Sequence, residues 1–258
     1  MGQRHQLYLI IHNPLKNEEA LKEITDFDNE GKQLAHARKV FGNKKISVLP
    51  FHHQWLFGLT AAAVCSNIMK EVLRSNSSKH MFSKEFSRIP HGRNSQTDRI
   101  DAFIKMFETV INCQFDTDFA DLGARYGVED AFSISGEGCE NDFRNGDNND
   151  GITIIDTINK KYCFMNNGCG DSKMDKLPEL IPVSAEQYVE IYYATTKKNL
   201  SEYYLEDVCG NDAKKIKELL EENKEVVAFT KKAFANFTLL SLDEVKKLFP
   251  KVYNETSK

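Results

Sequence analysis

Residues 7–12 of the 258-residue chain read Leu-Tyr-Leu-Ile-Ile-His, and the pair Asn13-Pro14 follows them directly. A short apolar run that ends at a turn-forming pair is typical of a buried strand. We therefore expect the fold to be organised around a sheet that contains residues 7–12.

Helical and strand-like patterns follow this run as far as residue 111. Apolar residues recur at helical spacing in three stretches, and one short run between them has the character of a strand. The predicted elements are a helix over 18–39 that is broken near 28–31, a strand over 45–51 ended by Pro50, a helix over 55–73, a loop over 75–95 and a helix over 98–111.

The second half of the chain predicts a hairpin and then a series of helices. Two strand-like runs flank a short polar turn, and the helical patterns begin after Pro182. Ser241 and Glu244 have the spacing of a capping box. The predicted elements are strands over 151–156 and 161–165 joined around Ile158-Asn159-Lys160, and helices over 185–195, 213–223, 224–237 and 242–249.

These elements predict an α+β fold, with a mixed sheet, packed helices and a helix-rich C-terminal third. The chain has no sharp linker. We therefore expect residues 1–258 to form a single globular domain with a short basic N-terminal tail over residues 1–6.

The net charge of −4 conceals an asymmetric distribution. Residues 1–105 hold 16 of the 34 basic residues but 10 of the 38 acidic ones, and all seven histidines lie within the first 91 positions. Local positive charge of this kind suits phosphate contacts, and an acidic remainder limits indiscriminate binding. A solvated surface is the alternative interpretation.

Composition argues against several other classes of protein. No run of apolar residues is long enough for a membrane span, and the N-terminal apolar stretch is too short for a signal peptide. The six cysteines form no Cys-x-x-Cys pair, and no histidine follows His91. We expect reduced thiols in a cytoplasmic protein, with no cofactor and no structural metal.

Two short segments are candidates for chemistry. The run His52-His53-Gln54-Trp55 offers side chains that suit stacking and hydrogen bonding to bases, although Trp55 would equally suit the core. Residues 145–151 resemble a calcium loop, but Gly151 stands one position late and no Glu closes the loop. A tight turn that leads into a strand is the favoured interpretation of residues 145–151.

Three motifs of this chain resemble a family. The opening Met1–Gln6, the run His52–Gly58 and the run Asp147–Asp156 resemble a group of uncharacterised fungal proteins that open with the same Gly-Gln-Arg-His-Gln sequence. Together with the composition, rich in lysine and asparagine, they resemble a microsporidian dormancy factor. That factor is a ribosome-hibernation protein that blocks the peptidyl-transferase centre.

This resemblance implies a binding protein and not an enzyme. The body would occupy the tRNA sites of the large ribosomal subunit as a monomer, and residues 1–6 would reach the peptidyl-transferase centre. The partner would be large-subunit rRNA with ribosomal proteins, and neither DNA nor a membrane. The predicted RNA-binding residues are Gly2, Gln3, Arg4, His5, Gln6, Lys44, Lys45, His52, His53, Gln54, Trp55, Arg88 and Arg93.

Two other functions remain as alternatives. A metal-dependent or histidine-based hydrolase would use His52 or His53 with Asp147, Asp150 or Asp156, although no nucleophile motif accompanies them. A protein-interaction scaffold would use the acidic C-terminal helices.

Overall fold

The computed structural model describes residues 4–26, 30–54, 57–74, 150–166, 168 and 173–254. The strands are β1 (Arg4–His12), β2 (Ile46–Gln54), β3 (Ile152–Asp156), β4 (Lys161–Met165) and β5 (Thr238–Leu239). The helices are α1 (Glu18–Asp26), α2 (Lys32–Phe41), α3 (Gly58–Arg74), α4 (Ala185–Glu190), α5 (Ala213–Ala233), α6 (Leu242–Leu248) and α7 (Pro250–Asn254). The loop and helix predicted within 75–111 lie outside the described residues.

The sheet has five strands in the order β2-β1-β3-β4-β5. Strand β1 pairs with β2 antiparallel and with β3 parallel, and the predicted hairpin joins β3 to β4. The short β5 lies parallel to β4. The mixed sheet and the helices confirm the predicted α+β class.

Strand β1 is buried on both faces, and this explains its continuous apolar sequence. Leu7, Leu9 and Ile11 share one core with side chains of α1 to α4. Tyr8 and Ile10 belong to a second core on the opposite face, formed with α6, α7 and Leu240, which lies two residues before α6. The period of two along a strand divides the run between these two cores.

The strand predicted to stop at Pro50 continues to Gln54. The expectation was wrong because Pro50 interrupts only a strand that needs partners on both sides. In the described sheet, β2 is an edge strand that pairs with β1 alone, and Pro50 lies opposite Tyr8 in that pairing.

The two helices predicted over 213–223 and 224–237 form the single helix α5. The Asn223 amide lies inside this helix, where Nδ2 donates a hydrogen bond to the carbonyl oxygen of Ala194 at 2.8 Å. This tertiary contact stabilises a residue that otherwise disfavours a helix interior. The predicted break near residues 28–31 is confirmed at Glu30 and Gly31, which the structure describes outside any helix. The predicted capping box of α6 is also confirmed.

The predicted N-terminal tail is wrong for residues 4–6, which form the first part of β1. Every second residue of β1, from position 5 to position 11, points to the same face of the sheet. The side chains at positions 5, 7, 9 and 11 are all buried. No helix among the described residues combines the length and the apolar character that crossing a bilayer requires.

Candidate functional site

The three segments that carry the family resemblance meet at one end of the sheet. The register pairs Arg4 with Gln54 and Gln6 with His52, where β1 begins and β2 ends. On the other side of β1, Gln6 is aligned with Ile152, and its N–H donates to the carbonyl oxygen of Gly151 at 3.2 Å. We call residues 4–6, 52–54 and 150–153 the motif end of the sheet.

A buried histidine connects these segments. The His5 side chain is fully buried. Its Nδ1 lies 3.0 Å from the carbonyl oxygen of Asp150 and therefore donates a proton to it. Its Nε2 lies 2.6 Å from the Thr153 hydroxyl oxygen, so that the ring bridges β1 and β3.

Two tyrosines, in and just after α4, form hydrogen bonds to Asp150. The Tyr188 hydroxyl of α4 donates to the carbonyl oxygen of Asp150 at 2.9 Å and accepts from the Gly58 N–H at 3.3 Å. The Tyr192 hydroxyl donates to a carboxylate oxygen of Asp150 at 2.7 Å. Burial raises the pKa of both tyrosines, so both phenols keep their protons at neutral pH and act as donors.

The network gives His5 and Gln6 a structural role, and their burial leaves little surface for the predicted contact with RNA. Their exposed fractions are 0% and 2%. The short motif suggested a polar tail because five polar or small residues precede the apolar run. The period-two alternation of β1 in fact extends back through His5, where Tyr188 covers the ring at a centroid distance of 5.8 Å.

The other predicted contact residues are spread over the molecule. Lys44 and Lys45 are exposed but precede β2, while His52, His53 and Gln54 belong to its final residues. At about 3.3 Å per residue, the two groups are roughly 25–30 Å apart and do not form one patch. The remaining candidates, Gly2, Gln3, Trp55, Arg88 and Arg93, lie outside the described residues.

One of the three carboxylates proposed for a hydrolase, that of Asp156, lies away from His52 and His53. Asp156 lies at the far end of β3, where Oδ1 accepts from the N–H groups of Ile158 and Asn159 at 2.9 and 3.0 Å. It therefore caps the hairpin turn. Asp147 lies outside the described residues, and no group of His, Cys, Asp and Glu that could hold a metal occurs in the described part. The turn at Asp150-Gly151 leads directly into β3, as expected.

A cavity of about 440 Å³ adjoins the motif end. Phe57, Gly58 and Tyr192 belong to its wall and connect it to the Asp150 network. Helix α5 also contributes to the wall, through residues that include Glu222 and Asn223. Sequence reasoning missed Tyr188, Tyr192 and this cavity, because no local pattern marks residues that converge through the tertiary fold.

The three cysteines that the structure describes, Cys65, Cys163 and Cys209, are free and buried. Burial raises the pKa of the Cys65 and Cys163 thiols, which keeps them protonated and unreactive.

Comparison with family models, with curated proteins and with solved structures found no match for this chain.

Proposed function

We propose that this protein is a ribosome hibernation factor that binds large-subunit rRNA in the cytoplasm and sterically blocks the peptidyl-transferase centre and the tRNA sites. The observation that supports this proposal best is the convergence of three separate sequence motifs at the motif end. Because the motifs carry the family resemblance, their shared location favours a common surface.

The buried network gives the motif end a defined shape. His5 is held between Asp150 and Thr153, and Gln6 is aligned with Ile152. Residue 4 is therefore attached to a rigid strand. A rigid support reduces the conformational entropy that binding must otherwise remove.

In this proposal the roles of the first residues are divided. His5 and Gln6 hold β1 in the sheet, while Gly2, Gln3 and Arg4 contact rRNA. No chemical step is needed, because occupation of the tRNA sites alone prevents peptide-bond formation.

Co-sedimentation with purified large ribosomal subunits tests the proposal. We expect the wild-type chain to sediment with the subunits and to inhibit a peptidyl-transfer assay. We expect Arg4→Glu to weaken binding at least tenfold. We expect Arg4→Ala to reduce the slope of log K against log salt concentration by about one, because one phosphate contact is lost. Lys39→Glu, an exposed substitution on α2, is the matched charge control.

Deletion of residues 2–3 completes the design, because removing residues 2–6 would also remove part of β1. Failure of the wild-type chain to bind subunits would disprove the proposal. Normal binding and inhibition by Arg4→Glu and by the deletion would disprove the role of the first residues.

A further inference from the structure

The cavity beside the motif end has the size of a small-molecule site. Its volume of about 440 Å³ lies within the range of about 300–1,000 Å³ that is usual for such sites. It lies between the beginning of α3, the segment that follows α4, and α5. Its wall is largely apolar, and three groups among the other lining residues could contact a ligand. We call them the aromatic, the basic and the acceptor side.

The aromatic side is formed by Phe57 and Tyr192. Their ring centroids are 5.8 Å apart, with an interplanar angle of 42°. The Tyr192 hydroxyl is engaged by Asp150, which fixes the orientation of this ring. Fixed aromatic faces of this kind stack on nucleobases.

The basic side is formed by Lys173 and Lys176. The Lys173 Nζ lies 5.5 Å from the centroid of the Tyr192 ring, and the Lys176 Nζ donates to the carbonyl oxygen of Asn199 at 3.0 Å. Neither lysine forms an ion pair with any residue that the structure describes. The first residues of the 17-residue helix α3 also line the cavity, and such a helix end favours negative charge.

The third side offers two hydrogen-bond acceptors, Asn223 Oδ1 and the Glu222 carboxylate. Asn223 is 8% exposed, and its Nδ2 is used by the carbonyl oxygen of Ala194. Its Oδ1 accepts no hydrogen bond from the described residues. The neighbouring Glu222 is exposed at the cavity wall and is an acceptor when ionised.

We propose that this cavity is a nucleotide-binding site with a preference for guanine. The base would stack on Phe57, which packs against the fixed Tyr192 ring, and the phosphate would contact Lys173 and Lys176. Asn223 Oδ1 and Glu222 both accept, so the edge of the base that faces them must supply N–H donors. Guanine presents N1–H and the N2 amino group side by side, whereas the corresponding edge of adenine has a single amino group.

Equilibrium dialysis of the full-length chain against GMP, AMP and guanosine tests this site. We expect saturable 1:1 binding of GMP, at least tenfold tighter than that of AMP and of guanosine. Comparison with AMP measures the contribution of the base, and comparison with guanosine measures that of the phosphate. A single-stranded G-containing RNA trinucleotide determines whether the natural ligand is free or part of RNA.

Three variants connect binding to the cavity. We expect Lys173→Gln to weaken GMP binding at least tenfold, and Glu222→Gln to reduce the ratio between GMP and AMP affinities at least fivefold. Lys215→Gln, on an exposed position of α5 outside the cavity wall, should change neither by more than twofold. All three positions are solvent-accessible, so we expect the melting temperature to remain unchanged.

Absence of saturable binding of both GMP and the trinucleotide at millimolar concentration would overturn the proposal, as would unchanged binding by Lys173→Gln. AMP binding as tight as GMP binding would overturn the guanine preference. The proposal is independent of ribosome binding: Lys173→Gln tests the cavity by dialysis, and Arg4→Glu tests the motif end by sedimentation.

Discussion

The Nε2 atom of His5 lies 2.6 Å from the Thr153 hydroxyl oxygen, and this contact joins two residues that are 148 positions apart in the sequence. The same ring reaches the carbonyl oxygen of Asp150. A residue of the N-terminal motif therefore organises the interior of the sheet, and its contribution is measurable as stability.

We expect His5→Ala to lower the free energy of unfolding by about 3 kcal/mol, since it removes the partner of the buried Thr153 hydroxyl, one of the donors to the Asp150 carbonyl oxygen, and the ring that fills this site. Urea denaturation measures the change, and His36→Ala, at a half-buried position on α2, should cost less than about 1 kcal/mol. A double-mutant cycle with Thr153→Val should give a coupling of about 1 kcal/mol. A coupling of zero would show that the 2.6 Å contact does not stabilise the fold.

We expect Gly151→Ala to destabilise the protein by more than 2 kcal/mol. Gly151 has a φ of +94°, and an added Cβ would lie 2.6 Å from the Met174 Cε and 2.8 Å from the carbonyl oxygen of Met165. Strain and overpacking therefore act together. Gly31→Ala is the matched control, because Gly31 has a φ of +71° in the ordinary left-handed region and open space around it.

In Gly31→Ala only the left-handed backbone strain remains, and thermal unfolding should show a loss of about 1 kcal/mol. Equal losses in the two variants would contradict the packing around Gly151.

We expect Tyr188→Phe to cost about 1–2 kcal/mol. The variant keeps the buried ring but removes the hydroxyl that contacts Asp150 and Gly58. Tyr203→Phe, at a position where 60% of the surface is exposed, should leave the stability unchanged. If both variants unfold at the same urea concentration, the Tyr188 hydroxyl does not tie α3 and α4 to the motif end.

We expect stability between pH 4.5 and pH 2 to depend on Glu244. The Lys161 ammonium, 2.6 Å from its carboxylate, and the cap at Ser241 lower the pKa of Glu244 to about 2. Its folded pKa is thus below its unfolded pKa, and the stabilisation is present above about pH 4.5 and lost as the pH falls to about 2.

Glu244→Gln keeps a capping-box side chain but removes the charge. Its free energy of unfolding should be about 1 kcal/mol below that of the wild type at pH 7, a value reduced because a third of the side chain is exposed. The difference should disappear near pH 2. Glu225→Gln, at an exposed position of α5, is the control. A difference that persists at pH 2 would contradict the assignment.

Local patterns correctly predicted the elements whose ends are marked by nearby residues in the sequence. The apolar run of β1 ends at Asn13-Pro14, the hairpin of β3 and β4 contains its turn, and α6 has its capping box. In each case the decisive contacts are a few residues apart, so the sequence alone displays them.

The features that were missed depend on partners far away in the sequence. Pro50 is tolerated because β2 is an edge strand, and Asn223 is tolerated in α5 because Ala194 accepts its proton. His5 is buried because Tyr188 covers it, and no local period reveals a residue 183 positions away. The cavity is also formed by several such segments, so its chemistry became visible only in three dimensions.

The order of strands also has a consequence for biosynthesis. Strand β1 pairs with β2, which lies within the next 50 residues of the chain. Its parallel neighbour β3, however, ends only at Asp156. At about 5–20 residues per second, translation needs roughly 5–20 s to supply that neighbour after β2 has emerged. Throughout this interval the apolar β1 has an open backbone edge that can pair with other nascent chains. Protection by a chaperone is therefore most valuable to this protein between the synthesis of β2 and of β3.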